Sequence, residues 1–531
     1  MPRLTVVGDA FLDVDWTGRV DRVCPDAPAP VLDATGERTR PGGAGLAALY
    51  AADATFAGVA AADAPVAPVA DPVEVTLVAA LGADAEGDRV RRALRDAGVR
   101  VVDLGLDGPT PVKLRLRAGG RSLARVDRHC EPVAGIGAWT AAAEDAVRSA
   151  DAVLVSDYGR GMSARPALSA ALAHRCRAGG AVVWDPHPRG AAPLPGCTLV
   201  TPNLAEARHL AVTVPAAATR TAATRPSPSP RLLPGGEGTA VAAATGLAEA
   251  LADRCDGAVA VTVGEQGAVL AGVGSAPLVV PARPADGDVC GAGDRFAATA
   301  AAWLAAGATV ADAVAAAVEA GRRHVAGALP THGPTPSPVS SSSSSAPSPS
   351  APSLPGLGSA PRPGPEVAAG DGDPHAPEPD PDDPLALVAA VRSRGGTVVA
   401  AGGCFDVVHA GHVRLLEAAR ALGDCLVVCV NDDASVRRLK GDPRPLNPLA
   451  DRLAVLRGLA CVDAVVAFAE DTPCELLALL RPHLFVKGAD HAGGHLPERQ
   501  VLARWGGRAV LLPVLQGRST TRILRAAAAA S

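Results

Sequence analysis

Apolar positions along the first half of the chain cluster into short continuous runs: Leu4–Val7, Val75–Ala79, Ala152–Ser156, Ala181–Trp184, Thr198–Val200 and Ala258–Val263. Runs of this length without alternation predict strands buried on both faces. Stretches with helical spacing separate most of them, so the pattern predicts a largely parallel sheet covered by helices on both sides. Segments Asp13–Asp33 and Pro111–Arg128 read as strands outside that rhythm and predict a small extra sheet able to act as a lid. The Ala-rich stretch from Phe296 to Gly321 carries Asp312 and Glu319, which predicts two soluble helices rather than a membrane span. Near the C-terminus, Thr397–Ala401, the run from Val427 and Leu484–Val486 repeat the buried-strand pattern, and Val413–Arg420 has helical spacing.

Between these two regions the composition changes. Pro330 to Pro384 contains the run Ser340 to Ser345, many prolines and an acidic end, and such a segment cannot bury a core. The expected division is therefore a domain at 1–330, a disordered linker at 331–384 and a second domain at 385–531. Two further patches, Ala57 to Pro72 and about Pro215 to Gly238, read as insertions in surface loops.

At 531 residues the chain exceeds one ordinary domain, and its 48% hydrophobic content supplies enough apolar surface for two cores. Aromatic residues are only 2%, so Ala, Val and Leu must build those cores. A formal net charge of −5 gives no sign of a nucleic-acid partner. The 11 cysteines form no C-x-x-C pair and no zinc-spaced cluster, which predicts reduced thiols in a cytoplasm. The opening residues run straight into a strand and turn, with no pattern of a signal peptide.

The candidate chemistry lies where strands meet helices. Gly403-Cys404-Phe405-Asp406-Val407-Val408-His409-Ala410-Gly411-His412 joins a buried strand to a helix start and places two histidines in an H-x-G-H spacing. Backbone N–H groups and the positive dipole end favour an anion there, and two imidazoles can hold a triphosphate while its α-phosphorus is attacked. Lys440, Arg444 and Lys487 follow, each beyond a strand's carboxyl end, where open α/β sheets bind ligands. Ser519 and Thr520 lie in a hydroxyl-rich turn and can donate to phosphate or base.

The first domain carries a second set. Gly291-Ala292-Gly293-Asp294 leads into the Ala-rich helix, so Gly291, Ala292 and Gly293 can form an anion hole and Asp294 can take a proton from an attacking hydroxyl. Gly42 and Gly43 suit close approach of a sugar, and Asp9 and Asp13 can bind its hydroxyls. Asn203 and Glu206 offer an amide and a carboxylate for an indirect Mg²⁺–phosphate shell. Gly264 and Gly267 lie in a strand–turn that can flank a nucleotide.

The order of these motifs resembles two families. Residues 1–330 resemble the ribokinase-like (PfkB) sugar kinases, with Thr110, Lys113, Arg115, Arg125 and Asp127 matching a lid pattern, and Lys113 and Arg115 implied as substrate ligands. Residues 397–525 resemble the H-x-G-H nucleotidyltransferases, which implies that Phe405, with the two histidines, contacts ATP. The combination is similar to the bifunctional heptose 7-phosphate kinase/heptose 1-phosphate adenylyltransferases. The resemblance implies a ribokinase-like three-layer α/β/α domain with a small β lid, tethered to a Rossmann-like α/β domain. It also implies ATP as substrate, Mg²⁺ as cofactor, sugar phosphates as partners, no nucleic acid or membrane, and a homodimer formed through the kinase domain. Three positions depart from the family pattern: Leu46 replaces Asn, Cys290 replaces Ser or Thr, and Arg295 replaces a small hydroxyl residue. Arg295 is expected to pair with phosphate or to cap Asp294. Another sugar phosphate, CTP or GTP as donor, and a non-catalytic kinase half remain open alternatives.

Overall fold

The computed structural model describes residues 1–53, 72–119, 121–132, 135–215, 240–327, 383–489 and 496–513. The expected linker up to residue 382, both expected insertions except their outermost residues, and Ser519 and Thr520 lie outside the described residues, whereas Pro384, expected as linker, opens a helix.

The N-terminal unit is built on a sheet of β1 (Arg3–Gly8), β4 (Glu74–Ala79), β5 (Arg100–Asp103), β8 (Ala152–Ser156), β9 (Ala181–Asp185), β10 (Leu199–Val200), β11 (Ala258–Thr262), β12 (Ala268–Ala271) and β13 (Leu278–Val280). Its order is β13-β12-β11-β10-β9-β8-β1-β4-β5. All neighbours pair parallel except β11–β12 and β12–β13. All six apolar runs noted in the sequence are strands here. The tail of the sheet, β12–β13, is a short hairpin edge that the sequence reading did not separate.

Helices α1 (Ala44–Ala52), α2 (Ala85–Asp96), α3 (Ala141–Ser149), α4 (Pro166–Arg177), α5 (Leu204–Thr213), α6 (Ala240–Cys255), α7 (Ala292–Ala305) and α8 (Val310–Val325) cover it. α7 is buried along every residue from Asp294 to Leu304, because α1 and α8 pack beside it. Alanine at five of those eleven positions permits that close approach, and a helix largely apolar on all sides belongs inside a fold.

The four-stranded second sheet has the order β3-β2-β6-β7, from β2 (Ala10–Val23), β3 (Pro30–Gly43), β6 (Val112–Ala118) and β7 (Arg121–Arg128). Register sorts its side chains onto two faces. Asp13 lies between Arg40 and Lys113, and Asp15 between Arg38 and Arg115. These charges share one face. Trp16, Leu114, Leu116 and Val126 share the other, where Trp16 is 40% and Val126 45% exposed.

The C-terminal unit has β14 (Val398–Gly403), β15 (Cys425–Asn431), β16 (Ala464–Phe468), β17 (Leu484–Gly488) and β18 (Arg508–Leu512). Their order is β16-β15-β14-β17-β18, all parallel. α9 (Pro384–Ser393), α10 (Ala410–Arg420), α11 (Asp433–Lys440), α12 (Leu449–Arg457), α13 (Cys474–Leu480) and α14 (Glu498–Leu502) surround it. This is the Rossmann-like order expected of the second domain. β15 is buried throughout, as a central parallel strand requires. The two units meet edge to edge through β13 and β18, giving a continuous sheet of 14 strands.

Candidate active sites

In the N-terminal unit, Gly291 adopts φ +86° and caps α7 with backbone alone. A Cβ there would stand 3.0 Å from the Tyr50 hydroxyl and 3.2 Å from Leu46, so glycine is required. The start of α7 therefore lacks a side-chain cap and presents the positive end of a buried helix. The amide of Ala292 is not available for an anion, because it donates to the Val289 carbonyl at 3.1 Å. Around Gly293 a Cβ would meet nothing within 4 Å, so that side of the turn is open.

Asp294 sits one step inside this turn and is 8% exposed. Burial raises its carboxyl to about 6, opposed by a hydrogen bond from the Tyr158 hydroxyl. That hydroxyl donates to Asp294 Oδ1 at 2.6 Å. Tyr158 is itself fixed edge-on to Phe11 and stacked on His187. Lys113 Nζ lies 3.9 Å from the centre of the Phe11 ring and 4.8 Å from that of Tyr158. Burial lowers the pKa of this lysine. Behind Asp294, Asp185 is held well above the usual carboxylate range by burial and by the nearby Asp294 and Glu206 charges. Asp185 ends β9, the carboxyl-end position where a ligand group is expected, but the sequence reading passed over it.

The polar face of the lid closes over this site. Arg115 Nη1 reaches Asp13 at 2.7 Å, Arg40 reaches the same carboxylate at 3.7 Å, and Arg117 pairs with Asp288 at 2.7 Å. Arg40 also donates to Cys290 Sγ at 3.5 Å. Lys113 and Arg115, expected as substrate ligands, lie on this charged face. Arg38, Arg40 and Arg117 join them and were missed, although their i, i+2 spacing in strands puts them on one face.

Several expected ligands have other work. Asp9 accepts from the amides of Tyr158, Arg160 and Met162, so its oxygens shape the 158–162 turn rather than face a sugar. At Gly42 a Cβ would strike the Phe11 ring at 2.3 Å, and at Gly43 the Asp9 carbonyl at 2.4 Å. A side chain at either glycine would collide with the protein itself. Asn203 and Glu206 form a reciprocal capping box on α5, with Asn203 Oδ1 accepting from Ala205 and Glu206 and the Glu206 carboxylate accepting from Asn203. Gly264 and Gly267 bracket a single 3₁₀ turn between β11 and β12. Gly267 is needed because a Cβ would lie 2.1 Å from the Val280 carbonyl, whereas Gly264 faces open space.

Arg295 does neither of the things expected of it. Its guanidinium turns away from Asp294, pairs with Asp53 at 3.1 Å, donates to the Tyr50 carbonyl and stacks on the Tyr50 ring. Both partners are buried, so the pair ties α7 to the end of α1. Leu46 is likewise core, 4% exposed beside Gly291.

In the C-terminal unit, His409 is the N-cap of α10, its Nδ1 accepting from the Gly411 amide at 3.2 Å. The His409 and His412 rings stack with centroids 4.0 Å apart and 22° between planes. Phe405, at φ +48°, is 4% exposed and backs His412 at 5.3 Å. Its side chain supports the histidine from the core.

The loop before α12 is held by Asp406, which accepts from the amides of Leu446 and Asn447 and pairs with Arg444 at 2.8 Å. Lys440 ends α11 and is exposed. Lys487 does not stand as a lone cation: its ammonium contacts the buried Glu498 at 2.7 Å.

Arg452, 1% exposed, donates to the carbonyls of Asn447, Cys404 and Asn431 and pairs with Asp433 at 2.7 Å. It knots together the ends of β14 and β15 on which the histidines depend. Arg452→Ala would strand three carbonyls and a carboxylate. It is expected to cost about 3–5 kcal/mol, read as an earlier urea transition of the C-terminal unit.

A phosphoryl-transfer pocket under a charged lid, followed by a stacked H-x-G-H pair on a Rossmann-like sheet, defines a carbohydrate kinase joined to a nucleotidyltransferase. The family model described as pfkB family carbohydrate kinase matches residues 1–332, and that described as cytidylyltransferase-like matches residues 400–498. The bifunctional protein HldE of Streptomyces coelicolor is 48% identical over 530 residues, covering 99% of this chain and 96% of that one. HldE of Azotobacter vinelandii is 36% identical over 534 residues, 99% and 98% of the two chains. The chain belongs to the HldE family of bifunctional proteins. Among solved structures, Arabidopsis thaliana ribokinase complexed with ribose and ATP aligns with 61% of this chain and 92% of its own, at 21% identity and a TM-score of 0.41.

Proposed function

We infer that the N-terminal unit transfers the ATP γ-phosphoryl group to the C1 hydroxyl of D-glycero-D-manno-heptose 7-phosphate. The C-terminal unit then joins AMP from ATP to heptose 1-phosphate, giving ADP-heptose and pyrophosphate. The observation that carries the kinase assignment is Asp294, a buried carboxylate at the open start of α7 that faces the cationic side of the lid.

In the first reaction Asp294 accepts the proton of the attacking hydroxyl as oxygen bonds to the γ-phosphorus and the bond to ADP breaks. Tyr158 holds the carboxylate in place. The amides at the start of α7, that of Ala292 excepted, stabilise charge on the transferred group. A sugar that already bears a phosphate suits the lid, whose Arg38, Arg40, Lys113, Arg115 and Arg117 outnumber Asp13 and Asp15 on that face.

In the second reaction a sugar-phosphate oxygen attacks the α-phosphorus and pyrophosphate leaves. His409 and His412 stabilise the charge, with Lys440 and Arg444 at the rim. Lys487 acts with Glu498 as one neutral unit, and Ser519 and Thr520, outside the described residues, are assigned as donors to phosphate or base. Mg²⁺ offsets polyphosphate charge in both reactions when bound. Asp185 and Glu206 offer carboxylate oxygen of the kind Mg²⁺ prefers, and their mutual repulsion favours a cation nearby. Among the described residues no three-ligand metal cluster occurs, which fits an ion held mainly by water and substrate phosphate.

The exposed Trp16 and Val126 on the outer face of the lid support a homodimer formed there. Among the described residues no helix is long and apolar enough to cross a membrane. A cytoplasmic location and the division at 330 and 384 belong to the same reading.

The test is product analysis. Purified chain with heptose 7-phosphate, ATP and Mg²⁺ is expected to give the 1,7-bisphosphate. With a phosphatase added it should give ADP-heptose and pyrophosphate. Pyrophosphate released from heptose 1-phosphate with CTP or GTP, but not ATP, would overturn the adenylyl assignment.

A further inference from the structure

We propose that the transferase unit is a structural part of the kinase: β18 docks on the kinase edge strand β13 and thereby holds the segment that feeds the phosphate-binding end of α7. Three observations place the units in register. Leu278 pairs with Leu511, and the Leu511 amide donates to the Pro277 carbonyl at 2.7 Å. Glu249 on α6 receives two arginines from the other unit, Arg499 at 2.7 Å and Arg508 at 3.1 Å, and the Arg508 guanidinium lies over Gly246, where a Cβ would stand 3.1 Å away. A single buried apolar cluster includes Val241, Ala244 and Val279 of the kinase together with Val510 and Leu512.

An edge strand leaves backbone groups open to unwanted pairing, and each unit here covers the other's edge. β13 has only three residues, so it has little pairing of its own with which to persist. Beyond β13 the chain runs to Gly291 without a helix or strand. It is fixed at Gly287, where a Cβ would lie 1.7 Å from the Val325 carbonyl, and at Asp288 by Arg117 of the lid. Its other end is β13. Freeing β13 loosens one of the supports of the turn at Gly291, and ATP binding in the kinase depends on that turn.

The test uses the full chain. Glu249→Arg opposes Arg499 and Arg508 without touching either site; adding Arg499→Glu and Arg508→Glu restores opposite charge. Hydrogen exchange across residues 508–513 reads docking directly and does not depend on the substrate assignment. Glu249→Arg is expected to speed exchange at Leu511 at least tenfold and raise the kinase KM for ATP several-fold, with the transferase constants unchanged. The triple variant should restore both. Unchanged exchange in Glu249→Arg overturns the docking. Faster exchange with an unchanged KM for ATP overturns the coupling to the kinase site.

Discussion

Asp294→Asn is expected to abolish sugar phosphorylation, lowering the kinase rate by about 10²–10⁴-fold, while adenylyl transfer by the same molecules continues at the wild-type rate. The variant keeps the shape of the side chain and an oxygen to accept from the Tyr158 hydroxyl, so it removes the base and little else. Stability is not expected to fall. Burial raises the Asp294 carboxyl to about 6 from an ordinary value of 3.8. A carboxyl raised in this way favours the protonated form in the folded state, so its ionisation costs stability as pH climbs from about 4 to about 6 and holds that cost above. The amide never ionises and avoids it. The same value sets the pH dependence of the wild type: the kinase kcat/KM should rise with pH through about 6 as the base loses its proton. A coupled assay for ADP, run beside thermal denaturation of both proteins, separates loss of chemistry from loss of fold.

His409→Ala and His412→Ala are expected to do the converse, lowering adenylyl transfer by about 10²–10³-fold and leaving the kinase intact. The two need not fail alike. His412 lies against Phe405 and under His409, so its removal opens a void at the strand–helix junction. His409 also caps α10 through Nδ1, so His409→Ala loses a helix cap worth roughly 1 kcal/mol as well as a phosphate ligand. His409→Asn should return the cap and recover stability without recovering the rate. Pyrophosphate release from heptose 1-phosphate and ATP, with urea denaturation, resolves the two losses.

The parts of this molecule that sequence made legible are those fixed by local rules. β1, β8, β9 and β11 are apolar along most of their length because helices cover both faces, and that pattern needs no knowledge of the fold. The turn at Gly291 and the H-x-G-H junction were legible because a strand–helix handover is read from neighbouring residues. What escaped depends on partners far along the chain. Arg295 meets Asp53, 242 positions away, and so cannot serve a phosphate. Tyr158 reaches Asp294 across 136 positions, and only the folded sheet brings the two together. Lys487 looked like a free cation until Glu498 was placed against it. Asp9, Gly42 and Gly43 sit where a sugar site was expected, but their closest neighbours are protein amides, Phe11 and Asp13. Arg38, Arg40 and Arg117 were missed for a different reason: their face is a property of strand register, and Asp13–Asp33 was read as strand without being paired to the segment from Pro111.

The central claim is that one chain carries two separate polyphosphate sites serving successive reactions on one sugar. Mixing the Asp294→Asn and His412→Ala proteins with heptose 7-phosphate, ATP, Mg²⁺ and a 7-phosphate phosphatase tests it most directly. Each variant alone is expected to make no ADP-heptose, and the mixture is expected to make it, since the bisphosphate released by one protein is hydrolysed by the phosphatase to the heptose 1-phosphate that the other takes up. ADP-heptose from either variant alone, or none from the mixture, would contradict the assignment of these two sites.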